Sequence, residues 1–301
     1  MAQIKEIDIE GGVLGVSFFD RETGENAKIE YYRGKGISAA IPENIDGADV
    51  SVIGKKAFLG AKTLTKVSVP DTVEEIGDYA FASCSALVSV RLPYRDMMFG
   101  GSLFRDCVNL KSIYFDSKAG VNEDIPYLLA LAVSKMDAQY LLDIKKAGSD
   151  GWTEHLDSLI SRILDRDDTD GFSKMLLCGE EDYVGDDSNL DTYVLLRRRE
   201  KAEIILERLM HPYGLSDRSR ILFTGYLKEN IMGIVWPLVL DRSGDELEYA
   251  ELLIAAGCIN SGNISLLIEG MGDRNTAVKS YLIKHKSEQS GGSSFFDDLD
   301  F

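Results

Sequence analysis

Histidine and cysteine are scarce, three and four among 301 residues. His155, His211 and His285 fall on three separate predicted helices, and none has a second His or Cys at i+3 or i+4. Neither a zinc-ligand spacing nor a nucleophile–base pair can be built from them, so each reads as a surface or half-buried side chain. Cys84, Cys107, Cys178 and Cys258 are far apart, which excludes the dense disulfide framework of a small secreted domain. Basic residues are outnumbered, 33 Lys and Arg against 50 Asp and Glu, for a formal charge of −17. That balance argues against nucleic acid as a partner, since phosphates must be neutralised by Lys and Arg, and against docking on anionic membrane. Long apolar runs are missing as well. The richest, 231–240, is broken by Pro237 and falls short of the roughly 20 residues that span a bilayer. The first 20 residues are acidic and alternating and do not read as a secretory leader. The expected address is cytoplasmic, or secreted if a leader has been removed.

Catalytic and cofactor motifs fail in turn. Gly34-Lys35-Gly36-Ile37-Ser38-Ala39 fits G-x-G-x-x-A after a strand, but a dinucleotide site needs a helix opening there to present its amides to the pyrophosphate, and Pro42 follows instead. There is no phosphate-binding G-x-x-x-x-G-K-[ST] and no G-x-S-x-G elbow. The acidic stretches 165–171 and 180–191 invite a calcium reading. Setting Gly171 at loop position 6 puts Arg166 at position 1 and Leu177 at position 12, where carboxylates are required. Starting at Asp187 puts Thr192 in the glycine place and Arg198 in that of the bidentate Glu. Both are read as solvated loops. The basic stretch Arg197-Arg198-Arg199-Glu200-Lys201 reads as a solvated helix face with i,i+4 pairs. No catalytic residue, cofactor or metal site is assigned.

What the chain does have is apolar substance, 45% of residues, and repetition. Burying roughly three quarters of its surface, it has length for two domains. Phe58, Phe81 and Phe104 are 23 residues apart; so are Leu64, Leu87 and Leu110, then Val67, Val90 and Ile113, then Val69, Leu92 and Phe115. Ala61, Cys84 and Cys107 form another column, as do Ile53, Ile76 and Phe99 and Gly54, Gly77 and Gly100; Pro70 and Pro93 share one more. Within a unit, residues 90 and 92 alternate inward as a short strand, and Pro93, lacking an N–H, stops it. Ile76 and Gly77 re-enter the core, and Ala80-Phe81 close the far side with a helical turn. One such coil cannot cover its own apolar edge; stacked about 4.8 Å apart, the coils form a parallel sheet. In that stack Cys84 and Cys107 lie one coil apart and are read as buried small apolar residues.

The turn Ile76-Gly77-Asp78-Tyr79-Ala80-Phe81, then Cys84-Ser85-Ala86-Leu87, then Ser89-Val90-Arg91-Leu92-Pro93 resembles the leucine-rich repeats of the BspA type, over residues 37–116. Residues 40–47 are similar to that family's first coil, with five extra residues before Ile53. The third coil departs from the pattern: Asp96 stands where Val73 is apolar, and Met97-Met98 replace Glu74-Glu75. The resemblance implies binding of other proteins. Ahead of the repeats, residues 1–36 are expected to form a β-hairpin cap over the first sheet edge, with turns at Gly11-Gly12 and Gly24.

Past residue 116 the 23-residue period ends and acidic residues gather. Basic and acidic residues number 13 and 17 over 1–116, but 20 and 33 over 117–301. Apolar spacing becomes three and four, which predicts a helical domain over 117–286 with eight to ten helices. Residues 250–260 look like the second helix and turn of an ankyrin unit, so stacked ankyrin-like helices are expected, with a plain bundle as the alternative. The fold class is therefore α+β, a short leucine-rich-repeat solenoid with an N-terminal cap followed by an all-α domain.

Two surfaces are candidates for partner binding. The first is the outward face of the repeat strands: Lys66, Ser89 and Ser112 in one column, Ser68, Arg91 and Tyr114 in the next. The second is the segment 287–301, a Ser/Gly tether with a reach on the order of 16 Å ending in an acidic, aromatic motif with Phe295, Phe296, Leu299 and Phe301. Such a motif is expected to dock in cis or on another chain, including self-association. The function expected is non-catalytic protein–protein interaction or scaffolding in a bacterial cytoplasm. One alternative is a surface or secreted adhesin, separated by the oxidation state of Cys84 and Cys107. Another is an enzyme with its site near the acidic loops of the helical domain, marked by converging, pKa-shifted carboxylates.

Overall fold

The computed structural model describes residues 3–22, 24–115, 120–173, 189–242 and 244–289. Cys178, most of the acidic stretch 180–191, and Phe295, Phe296, Leu299 and Phe301 lie outside the described residues. The chain divides into two compact units, one of residues 1–158 with 211–215 and one of residues 159–210 with 216–301.

The first unit opens on β1 (Lys5–Ile9), β2 (Gly12–Arg21) and β3 (Gly24–Gly34), an antiparallel meander turned at Gly11 and Gly24, both at positive φ. The expected hairpin cap is thus three strands. β3 joins the repeats by pairing in parallel with β6 (Ala48–Ile53), which covers that edge. Next come β8 (Glu75–Ile76) and β10 (Met98–Phe99), each parallel to the last. β10 forms despite Asp96 and Met97-Met98, because strand pairing uses backbone groups and Met98 points outward, 61% exposed. The first coil, longer by five residues, adds β5 (Asn44–Ile45), which doubles back on β6. A second, all-parallel sheet runs through β4 (Ser38–Ala40), β7 (Lys66–Ser68), β9 (Ser89–Leu92) and β11 (Ser112–Phe115).

Between the sheets the repeat columns stack. Phe58, Phe81 and Phe104 lie with centroids 5.1 and 5.6 Å apart, and Tyr32 of the cap stacks on Phe58 at 5.1 Å. Two left-handed residues per coil bend the far side: Lys56, Tyr79 and Ser102 in one column, Gly60, Ser83 and Asp106 in another. Cys84 and Cys107 are buried free thiols, donating to the carbonyls of Phe58 and Phe81 in the preceding coil, each at 3.1 Å. The last strand, β11, is covered by α1 (Ile125–Ala130), whose Leu128 and Leu129 are fully buried. This packing draws residues past 116 into the solenoid's unit, so the compact unit reaches Ser158, within α2 (Asp150–Leu164).

The second unit centres on α3 (Leu190–Met210), against which pack α4 (Asp217–Glu229), a π-helical turn at Ile231–Val235 and α6 (Glu246–Ala255). α5 (Trp236–Leu240), α7 (Ile264–Gly270) and α8 (Thr276–Gln289) complete the eight α-helices among the described residues. Their unequal lengths lend the ankyrin-like expectation no support. α8 runs to Gln289, so the first three residues of the expected tether, Ser287 to Gln289, are helical. No helix of the described residues is long and apolar enough to cross a membrane.

Candidate functional site

Strand register decides what the repeat sheet presents. Lys66 pairs with Ser89 and Ser89 with Ser112; Ser68 pairs with Arg91 and Arg91 with Tyr114. Ala39, Val67, Val90 and Ile113 alternate with them and are buried, so these two columns point outward. Lys66 and Tyr114 are exposed, and Ser68, Ser89 and Arg91 are half-buried. Ser112 corrects the expectation. It is 4% exposed, on the strand that α1 packs against. Tyr114 in turn faces Tyr127 and raises its phenol pKa, and Tyr127 stacks on His211 at 4.2 Å. The solvent-facing part of this sheet is therefore β7 and β9 with the edge of β11.

The other sheet borders a groove of about 850 Å³, lined from outside the apolar columns. Asp20, Glu22 and Glu25 enter it from the turn end of the β2–β3 hairpin, Glu43 and Asp49 from the first coil, and Asp71 from the second. A seventh carboxylate, Glu74, is held by two guanidinium groups, Arg21 at 2.5 Å and Arg95 at 3.1 Å. Asn44 donates to Asp49 at 3.3 Å. At the groove lies Ser51, the extra residue of a β-bulge, since Ala27 pairs with Val50 and Lys28 with Val52. Bulges re-aim side chains. Ser51 is 3% exposed, and its hydroxyl has no hydrogen-bond partner among the described residues. No sequence signal marks the groove: Asp20, Glu25 and Asp49 lie on strands and Glu22, Glu43 and Asp71 between them, with no common period.

Residues 41–124 match the family model of the BspA type leucine rich repeat region, in six copies. This stretch is a BspA-type leucine-rich-repeat region. A leucine-rich repeat protein of T. pallidum is 32% identical over 37% of this chain and 50% of its own, with a TM-score of 0.32. A leucine-rich cell surface protein of Faecalibacterium prausnitzii is 27% identical over 38% of this chain and 33% of its own, TM-score 0.31. A leucine-rich repeat protein of Bacteroides capillosus is 21% identical over 37% of this chain and 99% of its own, TM-score 0.25. The chain thus spans half the length of the first and a third of the second. No curated protein matches it. Leucine-rich-repeat proteins typically bind other proteins and are generally non-catalytic.

Outside the BspA-type region, the motifs weighed for chemistry have structural partners. Gly34 and Gly36 back onto Gly11, where a Cβ on Gly36 would lie 2.4 Å from the Gly11 Cα, and a strand follows instead of a helix. Among the described residues no group of three or more His, Cys, Asp or Glu is placed to hold a metal ion. His211 follows the end of α3 and lies 3.2 Å from Asp124; His285 meets Gln289, and His155 meets the edge of Tyr140.

In the basic stretch on α3, Arg197, Arg198 and Glu200 are exposed as expected, and Lys201 departs from the solvated face. Lys201 is buried, and its Nζ donates to the carbonyls of Leu164 and Arg166 at 3.3 and 2.6 Å and to Asp168 at 2.7 Å. It closes the end of α2 as a basic side chain near a helix C-terminus does. Arg198 pairs with Asp168 and Arg199 with Asp241. Burial opposes the Asp168 charge, yet the hydrogen bonds from Arg198 and Lys201 hold its pKa below the usual carboxylate value. Burial pushes the Tyr226 phenol beside them up to about 12. Asp168 is thus a fixed anion between two cations, as in a structural ion pair.

Proposed function

We propose that the chain is a non-catalytic protein-binding module or scaffold that docks a partner on the outward face of β7 and β9. The observation that carries this reading is the register: Lys66 beside Ser89 and Ser68 beside Arg91 form two adjoining columns on a face with its apolar side chains turned inward. Exposed Lys66 gives it a cationic side chain that fits an acidic or polar partner surface. The reading includes a reducing bacterial cytoplasm, where Cys84 and Cys107 stay thiols. It also includes the tail, whose Phe295, Phe296, Leu299 and Phe301 supply an apolar motif for self-association.

Site-specific photo-crosslinking in the native host tests it. A benzophenone side chain at position 89 should give a discrete cross-linked species that disappears with Arg91→Glu. The same probe at exposed Asn109, in the loop before β11, should not. Equal, diffuse labelling from both positions would refute it.

A further inference from the structure

The acidic groove goes beyond that reading. It borders the other sheet, and none of its residues belongs to the β7–β9 face. Six of its carboxylates, those of Asp20, Glu22, Glu25, Glu43, Asp49 and Asp71, form no ion pair among the described residues, and both of its arginines are spent on Glu74. Anions crowded around one hollow repel each other unless a cation enters. The buried hydroxyl of Ser51 is a second and independent sign. A polar atom withdrawn from water without a partner is costly, and here it borders the groove.

We propose that this groove seats a basic peptide segment, with Lys or Arg side chains set among the groove's carboxylates and the Ser51 hydroxyl accepting one of their N–H groups. Two observations favour a segment with several separated cations over a single ion. The carboxylates come from the turn end of the β2–β3 hairpin and two successive coils, and no three acidic groups converge as metal ligands. The hollow, about 850 Å³, is also an open polar groove with room for more than one side chain. The partner is therefore a protein with an exposed Lys/Arg-rich stretch, different in charge from one that would suit the β7–β9 face.

The test is a titration of the full chain with a fluorescein-labelled (Lys-Gly)4 peptide, read by anisotropy in 0.15 M salt, where exposed charges beyond about 8 Å are screened. Binding should saturate at one site. Glu43→Gln with Asp71→Asn should weaken it at least tenfold, and Ser51→Ala several-fold. Asp8→Asn with Glu10→Gln removes the same charge away from the groove and should change it less than twofold. The Glu and Asp changes are at exposed, near-isosteric positions, and thermal melts confirm folding of every variant. Equal weakening by both charge pairs, or no saturation, would overturn the proposal by showing only attraction to a chain of charge −17. Spermine binding the groove as tightly as the peptide would overturn the choice of a peptide as occupant. Lys66→Glu with Arg91→Glu serves to keep the two readings apart, since it should leave this titration unchanged.

Discussion

A Cβ placed on Gly77 would stand 2.6 Å from the amide nitrogen of Lys55, and one on Gly100 would stand 2.3 Å from that of Asp78. Both neighbours belong to the preceding coil, so this column sets how closely coils approach. Gly77→Ala should lower stability by about 1–3 kcal/mol, the usual range for overpacking, read as a shifted urea midpoint. An unchanged midpoint would show that the coils are not in contact there. This much was legible, because a glycine column at the same period as the apolar ones is visible without coordinates. Ser112 was not. Its column marks it as outward-facing, and only the packing of α1 on β11 buries it, a contact between segments that share no repeat. Thiols make a second check at this scale. Cys84, Cys107 and Cys258 are all buried, and burial pushes the Cys258 thiol up to about 11. In a Cys178→Ser background, the native protein should leave a disulfide-exchange reagent unconsumed for minutes and consume three equivalents in guanidinium. Fast reaction of any thiol in the native state would contradict the packing.

At the scale of elements, the aromatic ladder and the α3 ion pairs do different jobs. Phe81 is wholly buried between Phe58 and Phe104. Phe81→Ala should cost about 3–5 kcal/mol, as large core truncations do, and a melt displaced by under a degree would refute the stacking. Asp168 sits between Lys201 and Arg198, and its carboxyl is held below its ordinary pKa. A depressed folded value means stabilisation that is complete above the unfolded pKa, near 3.9, and lost as pH falls through the folded one. Asp168→Asn should therefore destabilise by about 1.5–3 kcal/mol at pH 7, with the gap to the parent protein closing below about pH 4. A gap constant from pH 7 to 3 would deny the charge its role. The helix containing Lys201 was legible from its spacing, while the burial of Lys201 was not. Five polar residues in a row look solvated, and nothing local reveals that the end of α2 and Asp168 lie against this one.

For the whole molecule, charge and repetition are divided along the chain. The repeats are nearly balanced in sign, and most of the net negative charge lies beyond residue 116. The solenoid was legible because a coil contacts the next at a fixed sequence distance, so geometry is written as periodicity. The acidic groove gathers side chains from one hairpin and two coils with no common period, and its floor depends on a bulge in β6 that strand patterns do not announce. If the terminal aromatics self-associate as proposed, a chain ending at Gln289 should sediment as a smaller species than the full chain at equal concentration, and identical sedimentation would remove that part of the reading. Fold and binding face alike depend on the register that sets coil upon coil. Oxidative cross-linking measures it directly, in a background with the native cysteines replaced. Lys66→Cys with Ser89→Cys places two thiols on adjacent strands about 4.8 Å apart, within disulfide reach, and should oxidise rapidly. Lys66→Cys with Ser112→Cys, separated by one more strand, should not. Equal rates for the two pairs would contradict the stacked coils.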